Sequence, residues 1–244
     1  MKILLAPSET KNSGGNGSFA INELSFDTLN QTRELMIDKY NAIVSSNDLV
    51  KIQKIFGLKK EKDIKTYLCS INNASTLKAI LRYTGVVFDY LGYQKLDINA
   101  QQYIDENVII FSNLFGILKA KDLIPNYRLK QGENLDEIKI DLLYKPIITK
   151  LLDQYLANEE ILDIRATYYN KFYKPSQPYT TLKFLKDGKV VSHWAKAYRG
   201  MVLKELAKNQ IATIDEFMRL NIDGLSILEV QQSKNKTEIV YEIC

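Results

Sequence analysis

The chain has 244 residues, of which 45% are hydrophobic and 25% are charged, and its formal net charge is +4. This composition is typical of a globular protein, and the mild positive charge permits nucleic-acid binding without requiring it. One histidine and two cysteines cannot supply the nitrogen and sulfur ligands of a structural zinc site. A site for Mg²⁺ or Ca²⁺ built from carboxylates alone stays open but has no motif, so we predict no metal site, and we predict no cofactor.

Membrane segments are not expected either. No stretch approaches the roughly 18 uninterrupted apolar residues of a transmembrane helix, and the apolar run 3–7 is too short for a signal-peptide core. We therefore expect a cytoplasmic protein with no membrane partner, folded as a single domain over residues 1–244. The sequence leaves its oligomeric state open.

Short strands and helices alternate in the first half of the chain. Residues 2–6, apolar from Ile3 onward, are typical of a central strand, and a polar loop with three glycines follows over 7–18. Apolar spacing over 28–55 predicts two helices with a short break between them. A further helix is predicted over 75–83, followed by an extended or turn segment that begins at 85–88.

The middle of the chain is dominated by a β-branched run, 108–111, which predicts a buried strand. Gly116 follows, where a side chain would obstruct a tight turn or a close neighbour. Apolar spacing over 136–158 predicts a helix that is interrupted at Pro146, with a fresh helix starting there. Residues 161–164 form a second short apolar strand.

Hairpins and a long helix complete the pattern. An irregular aromatic stretch, 165–181, leads into a hairpin over 181–191, because its Asp-Gly turn favours positive φ angles. A second hairpin is predicted over 225–243. A helix spans 193–208 between the hairpins, and its predicted inward-facing residues are Trp194, Tyr198, Met201, Val202 and Leu206. These elements indicate a mixed α/β (α+β-like) fold with a central mixed sheet, β-hairpins and surrounding helices.

The loop after the first strand is the first candidate site. Ser8, Thr10 and Lys11 place two hydroxyls and an ammonium at a strand end, where they could hold a phosphate or a carboxylate. Glu9 lies among them and receives less weight. The loop is not a Walker A loop, because its lysine precedes the glycines. A solvated loop without a ligand is an equally good interpretation.

A second candidate site is Tyr127 with Arg128. The planar guanidinium of arginine suits phosphate, and tyrosine adds a hydroxyl or a stacking face. The alternative is a structural ion pair of Arg128 with Asp122 or Asp163. Since a carboxylate in a buried strand needs a partner, Asp163 is expected to have an arginine nearby. The sequence does not choose between these two roles.

Positive charge is most concentrated in the helix over 193–208. Its cations form two pairs, at spacings of three and four residues, and only Glu205 offsets them: Lys196 with Arg199, and Lys204 with Lys208. A short turn follows, and residues 213–216 form a capping box that opens another helix. Helix, turn and helix is a geometry in which amides can approach a phosphodiester, although a solvated helix face is the plainer interpretation.

No catalytic group is identified. Cys69 has no basic neighbour closer than Lys65 and is predicted to be a small buried hydrophobic residue, which argues against a reactive thiolate. His193 is predicted to cap or pack the helix start, and the absence of a partner motif disfavours a hydrolase triad. Whether the protein catalyses a reaction stays open.

Five segments of the sequence resemble the YaaA family of bacterial peroxide-stress proteins: 4–11, 83–88, 116–128, 161–166 and 192–200. The resemblance implies a central sheet system wrapped by helices, a cytosolic role in limiting iron and peroxide damage, and DNA binding through a helix-hairpin-helix element. Pro7, Ser8, Thr10 and Lys11 match the family's opening motif, whereas Glu9 stands where other members often carry alanine. The usual Gly-hydrophobic-Gly hairpin is replaced here by Asn209-Gln210-Ile211. The other candidate hairpin, Phe115-Gly116-Ile117, has Leu118 where the second glycine belongs, so the segment that binds DNA stays open, and Gly116 is also a candidate residue of the cleft.

Two functions are therefore carried forward. In the first, the protein binds duplex DNA with low sequence specificity through the cationic helix. In the second, it binds or converts a small anionic metabolite in a cleft between the Ser8–Lys11 loop and Tyr127–Arg128. We also predict that Lys11, Arg128, Lys196 and Arg199 lie around one concave region.

Overall fold

The computed structural model describes residues 1–72 and 74–244, apart from the side chains of Ser192 and His193. The predicted packing role of the His193 side chain therefore lies outside the described residues. Within the described part of the chain, no helix is long and apolar enough to span a bilayer.

Strands of the described chain form one mixed sheet of eight strands and a separate two-stranded antiparallel sheet. The strands are β1 (Lys2–Leu5), β2 (Thr76–Lys78), β3 (Val108–Ser112), β4 (Gly116–Lys119), β5 (Leu123–Pro125), β6 (Ile161–Asp163), β7 (Tyr179–Lys186), β8 (Lys189–Val190), β9 (Leu225–Ser233) and β10 (Lys236–Ile243). The large sheet has the order β4-β3-β1-β6-β7-β10-β9, with β8 paired to β7, and β2 pairs with β5 in the small sheet.

Helices surround these sheets. The α-helices of the described chain are α1 (Asn30–Ser45), α2 (Leu49–Phe56), α3 (Glu61–Lys65), α4 (Ala79–Arg82), α5 (Val86–Leu91), α6 (Ile98–Asn107), α7 (Ile140–Tyr155), α8 (Ser192–Lys208) and α9 (Ile214–Arg219). The break between α1 and α2 confirms the two helices predicted over 28–55.

The centre of the large sheet is built from parallel strands with continuous apolar sequences. β1 lies between β3 and β6, in register with Ile3 opposite both Val108 and Leu162. All three strands are buried, which confirms the predictions for 2–6, 108–111 and 161–164. The chain passes from β1 to β3 on one side and later to β6 on the other. In α/β sheets such a reversal opens a crevice at the carboxyl ends of the strands, where ligands bind.

Both predicted hairpins are present and make the sheet mixed. The β7–β8 turn holds Asp187 and Gly188 at φ angles of 50° and 70°, the positive values that an Asp-Gly turn favours. β9 and β10 pair antiparallel across 233–236, while β10 pairs parallel with β7. The prediction of a mixed α/β fold with hairpins is thus confirmed.

Two short predictions in the first half are wrong. The segment 75–83 is not one helix, because Thr76–Lys78 forms strand β2 against β5 and only the single turn α4 follows. The segment 85–88 is not extended, because Val86 to Phe88 begin helix α5. In both cases a partner distant in sequence decides the conformation against local propensity.

The helix predicted over 136–158 begins later and is not interrupted. Asp136 has a φ of 49° and lies in a turn closed by a bridge between Leu135 and Ile138, so α7 begins at Ile140. Pro146 lies inside α7, which continues to Tyr155. Proline has no amide hydrogen to donate to the Leu142 carbonyl, so α7 continues with one helical hydrogen bond missing.

Helix α8 packs closely against α5 at Gly200. A Cβ atom built on Gly200 would lie 2.2 Å from the carbonyl oxygen of Val87, so only glycine permits this approach. Tyr198, Val202 and Leu206 are buried as predicted, and Met201 is partly buried and packs against the core. Trp194 is 45% exposed, so its predicted inward orientation is wrong.

The prediction that Cys69 is buried is also wrong. Cys69 and Cys244 are both free and exposed. Cys69 lies in the irregular segment after α3, and this segment is anchored instead by Ile71, which is fully buried and whose amide donates to the Asn41 side chain at 2.9 Å.

Two fully buried arginines hold loops in place without carboxylate partners among the described residues. The Arg33 guanidinium donates to the carbonyls of Phe115 and Ile117. The Arg82 guanidinium donates to the carbonyls of Asn12 and Gly14, among others, and so fixes the polar loop 7–18 against α4. Carbonyl oxygens thus accept hydrogen bonds from both guanidinium groups, whose burial without partners would destabilise the fold. The bonds from Arg82 anchor the loop that follows β1.

Candidate anion-binding cleft

A cavity of about 430 Å³ lies at the carboxyl ends of β1 and β6. It is the crevice expected where the strand order reverses around β1. Four parts of the chain enclose it: the loop after β1, the start of α5, the residues after β6, and α8. Its lining residues include Leu5 to Thr10, Thr84 to Phe88, Gln131, Ile164, Ala166, Tyr169, Lys196 and Arg199. We call this cavity the cleft.

Hydroxyl groups form one wall of the cleft. The Ser8 hydroxyl donates to the Thr10 carbonyl at 2.6 Å and accepts from the Thr84 amide at 3.1 Å. The Thr84 hydroxyl donates to the Thr10 hydroxyl at 2.9 Å. Gly85 follows with a φ of 99°, a conformation that favours glycine, and leads into α5. The loop after β1 and the start of α5 are thus held together as one polar surface.

Lys11 lies behind this wall and fixes its backbone. Its ammonium donates to the carbonyls of Ser8 and Glu9, both at 3.2 Å, and lies 4.0 Å from the centre of the Tyr127 ring. Burial, and next the charge of Arg128, hold the pKa of Lys11 well below its usual value, while Glu9 opposes this shift. Lys11 and Tyr127 line a second cavity of only about 20 Å³ beside the cleft.

Glu9 is paired with Arg128 at the edge of the cleft. Their side chains form an ion pair of 3.2 Å, and the other carboxylate oxygen accepts from the Gln131 amide at 3.0 Å. Arg128 is also held by the Phe56 carbonyl at 2.7 Å. The partners suggested from the sequence for Arg128, namely Asp122 and Asp163, are wrong, because Arg128 pairs with Glu9. The two residues are 119 positions apart, so no local pattern indicates this pair.

The acid predicted to need an arginine partner finds it two residues away. Asp163 accepts from Arg165 through both carboxylate oxygens, at 2.8 and 2.7 Å, and both side chains are almost completely buried. Arg165 also donates to the carbonyls of Tyr169 and Tyr173 and lies 4.2 Å from the ring of Phe111. The bidentate pair neutralises Asp163 and fixes the backbone at Ile164, which lines the cleft.

Helix α8 adds positive charge to the cleft without acidic partners among the described residues. Lys196 is exposed and Arg199 is half-buried, and neither forms an ion pair with a described residue. The Arg199 Nε atom is buried and has no hydrogen-bond partner in the described chain. Burial lowers the pKa of Arg199, while the charge of Asp163 opposes this effect. Leaving a buried donor unsatisfied costs about 1–3 kcal/mol.

The other two cations of α8 lie outside the cleft. Lys208 pairs with Glu205 at 3.0 Å, and Lys204 is half-buried further along the helix. The turn that follows has no amides free for a phosphate: those of Ala212 and Thr213 donate to Glu216, and that of Ile214 donates to Glu160. The predicted capping box is present. Its acidic residue, Glu216, already accepts from the turn amides that a phosphodiester would need.

The structure divides the residues singled out from the sequence into two groups. Ser8, Thr10, Lys196 and Arg199 line the cleft. The others support it or lie elsewhere: Lys11 and Tyr127 behind the loop, Arg128 behind Glu9, and Gly116 at the start of β4, where a Cβ would lie 2.8 Å from the Tyr144 ring. The wall facing the Ser8–Thr10 loop is therefore α8 and not Tyr127–Arg128.

Sequence reasoning missed several lining residues. Thr84 received no role, and Gly85 was predicted to begin an extended or turn segment, although glycine is acceptable at the N-cap of a helix. Tyr169 comes from the irregular aromatic stretch and carries no motif. Glu9 received less weight than its neighbours, yet it anchors Arg128.

A family model for the peroxide stress protein YaaA matches residues 1–231 of the chain. The chain belongs to the YaaA family. It is similar to an uncharacterized protein of Campylobacter jejuni, with 44% identity over all of this chain and 99% of the relative. It is also similar to UPF0246 proteins of Corynebacterium efficiens, with 32% identity over 97% and 98% of the two chains, and of Fusobacterium nucleatum, with 28% identity over 93% of each.

The segments by which the sequence resembles the YaaA family meet at the cleft. Residues from 4–11, 83–88, 161–166 and 192–200 all contribute to its lining. The remaining segment, 116–128, supports it from behind through Tyr127 and Arg128. Widely separated YaaA-like segments thus form one concave surface in this chain.

Proposed function

We propose that this chain is a cytoplasmic protein of the peroxide-stress response that binds a small anionic molecule, bearing phosphate or carboxylate, in the cleft. The single observation that carries the proposal is Arg199. It is half-buried in the cleft wall, has no acidic partner among the described residues, and leaves Nε without a hydrogen bond. Such a cation is costly in the free protein and favourable when an anion is bound.

The charges around the cleft support the same conclusion. Glu9 is neutralised by Arg128, and Asp163 is neutralised by Arg165. Lys196 and Arg199 are then left in excess on one wall, three residues apart on α8 and therefore adjacent in space. An apolar floor and a volume of about 430 Å³ are those of a small-molecule site.

Calorimetry and thermal unfolding with a panel of phosphate- and carboxylate-bearing compounds test this proposal. A ligand at about 100 times its Kd stabilises the folded protein by about 2.7 kcal/mol, which raises Tm by roughly 5–10 °C for a chain of this length. Arg199→Gln should remove most of this effect. Lys204→Gln, on the same helix but outside the cleft, is the matched control and should retain it. Unchanged binding in Arg199→Gln would refute the assignment.

Binding of duplex DNA is the second candidate, and the observation that favours it is the line of cations along α8. Because the amides of the α8–α9 turn are occupied, only side chains are available, principally Lys196, Arg199 and Lys204. Three phosphate contacts give a slope near −2.7 for the logarithm of affinity against the logarithm of salt concentration. A fluorescence anisotropy titration of unrelated duplexes measures this slope.

A double variant tests the DNA interface, and duplex binding by the wild-type protein separates the two functions. Lys196→Ala with Arg199→Ala should weaken DNA binding equally for unrelated sequences and flatten the slope by about 2, because backbone contacts carry no base information. If the wild-type protein does not bind duplex DNA at about 50 mM salt, where such contacts are strong, DNA is not its ligand. Binding of small anions would be unaffected by that outcome.

A further inference from the structure

We infer that the cleft selects a phosphomonoester, with its terminal phosphate between α8 and the hydroxyl wall and its organic part on the apolar floor. This inference rests on the proposed function, because it requires that the cleft bind an anion. It adds the class of anion: a phosphate at the end of a molecule, as opposed to a carboxylate or the phosphodiester of a nucleic-acid chain.

The first argument is the number of charges. With Glu9 and Asp163 each neutralised by an arginine, Lys196 and Arg199 present two positive charges to the cleft. A carboxylate or a phosphodiester brings one negative charge and would leave one cation unmatched. A phosphomonoester carries about −1.5 to −2 charges at neutral pH, which matches the pair.

The second argument is that the cleft offers donors on two sides. Arg199 presents a guanidinium and Lys196 an ammonium on one wall. On the other wall, the bond between the Thr84 and Thr10 hydroxyls uses one of their two hydrogens, so one hydroxyl hydrogen remains for a ligand. The acceptor at this wall, Glu9, is already engaged by Arg128 and Gln131. Donors on both walls suit the three terminal oxygens of a phosphomonoester.

The third argument is volume and polarity. The cleft holds about 430 Å³, so inorganic phosphate alone would leave most of it empty. Its floor is apolar and consists of Leu5, Ala6, Val86, Val87, Phe88 and Ile164. Apolar surface at a ligand site is covered favourably by an apolar group. The ligand therefore carries an organic part of low polarity next to its phosphate.

Phenyl phosphate and phenyl sulfate provide the test, because both are tetrahedral esters with the same apolar part. The sulfate keeps one negative charge at every pH used, whereas the phosphate gains its second charge around pH 6. Calorimetry at pH 8 should show phenyl phosphate binding at least about tenfold more tightly than phenyl sulfate. At pH 5 the ratio should fall to about twofold or less.

Variants connect the preference to the cleft. Arg199→Gln and, separately, Lys196→Gln should reduce the ratio at pH 8 to about twofold, while Lys204→Gln should leave it unchanged. Circular dichroism confirms that each variant is folded. Phenyl sulfate also controls for titration of the charged and titratable groups around the cleft: Glu9, Tyr169, Lys196 and Arg199 in its lining, and Lys11, Arg128, Asp163 and Arg165 behind it.

The outcomes are distinguishable. Equal affinities for the two esters at pH 8, with both lost in Arg199→Gln, would overturn the phosphomonoester assignment and leave the anion-binding cleft standing. A preference that persists in both cleft variants would also overturn it. Tighter binding of phenylacetate than of phenyl phosphate would assign the site to carboxylates. If none of these compounds binds, the proposed function fails as well.

Discussion

Replacement of Gly200 by alanine is the most direct test of how the cleft is built. Gly200 lies within helix α8, at the point where α8 crosses α5. A Cβ atom there would lie 2.2 Å from the Val87 carbonyl oxygen and 3.1 Å from the Leu91 amide nitrogen, whereas ordinary contacts are 3.4–4 Å. Because backbone atoms are in the way, the two helices must separate by roughly 1 Å.

Two effects of opposite sign determine the change in stability. Alanine favours the helix by about 1 kcal/mol relative to glycine, whereas overpacking typically costs about 1–3 kcal/mol. We expect a net loss of up to about 2 kcal/mol in the free energy of unfolding, and therefore a Tm lower by up to roughly 8 °C. Differential scanning calorimetry and urea unfolding measure these quantities.

The same substitution should weaken ligand binding. α5 provides Val86, Val87 and Phe88 to the cleft and α8 provides Lys196 and Arg199, so a separation of the helices displaces the cations relative to the rest of the lining. Binding sites tolerate displacements of about 0.5 Å, and we expect anion affinity to fall about tenfold.

Gly188→Ala in the β7–β8 turn is the control for lost stability alone. It meets no atom within 4 Å but forces alanine into a φ of +70°, at a cost of about 1–2 kcal/mol, and it should leave affinity unchanged. A Gly200→Ala protein with wild-type Tm and wild-type affinity would refute the packing argument.

Further predictions concern charged groups around the cleft. Asp163→Asn should lower the free energy of unfolding by about 3 kcal/mol in urea titrations, because Arg165 stays buried without its charge partner. Glu9→Gln should lower it by less than about 1 kcal/mol, because the Glu9 side chain is 40% exposed. Burial lowers the pKa of Lys11, so the unfolded chain binds more protons at this group, and the contribution of Lys11 to stability should rise as pH approaches the ordinary value of 10.5. In urea titrations at successive pH values, the free energy of unfolding of the wild-type protein should therefore rise relative to that of Lys11→Met. Without ligand, Arg199→Met should leave Tm unchanged or raise it by up to a few degrees, because the substitution removes an unsatisfied buried donor. A decrease of more than about 2 kcal/mol in the free energy of unfolding would show that Arg199 has a structural role.

Much of the fold was predictable because its signals are local. The continuous apolar runs of β1, β3 and β6 identify buried parallel strands, and the Asp-Gly turn identifies the β7–β8 hairpin. The capping box at Thr213 likewise marks the start of α9. In each case the residues that specify the structure are neighbours in sequence.

The errors occur where a distant partner decides the local structure. Val86 and Val87 have low helix propensity, but the helix α5 that they begin packs tightly against α8 at Gly200. The strand β2 exists because residues 123–125 pair with it. A window of sequence contains neither partner, so the local pattern predicts the wrong element.

The candidate site was only partly predictable, and its charges show why. The sequence gives a net charge of +4 but does not state which acids the arginines neutralise. One pair, Asp163 with Arg165, spans two residues, and the other, Glu9 with Arg128, spans 119. Once both pairs are assigned, Lys196 and Arg199 are left as cleft-lining cations with no described acidic partner. The capacity of the cleft to bind an anion therefore depends on tertiary pairing, which leaves two positive charges on α8 facing a cavity of about 430 Å³.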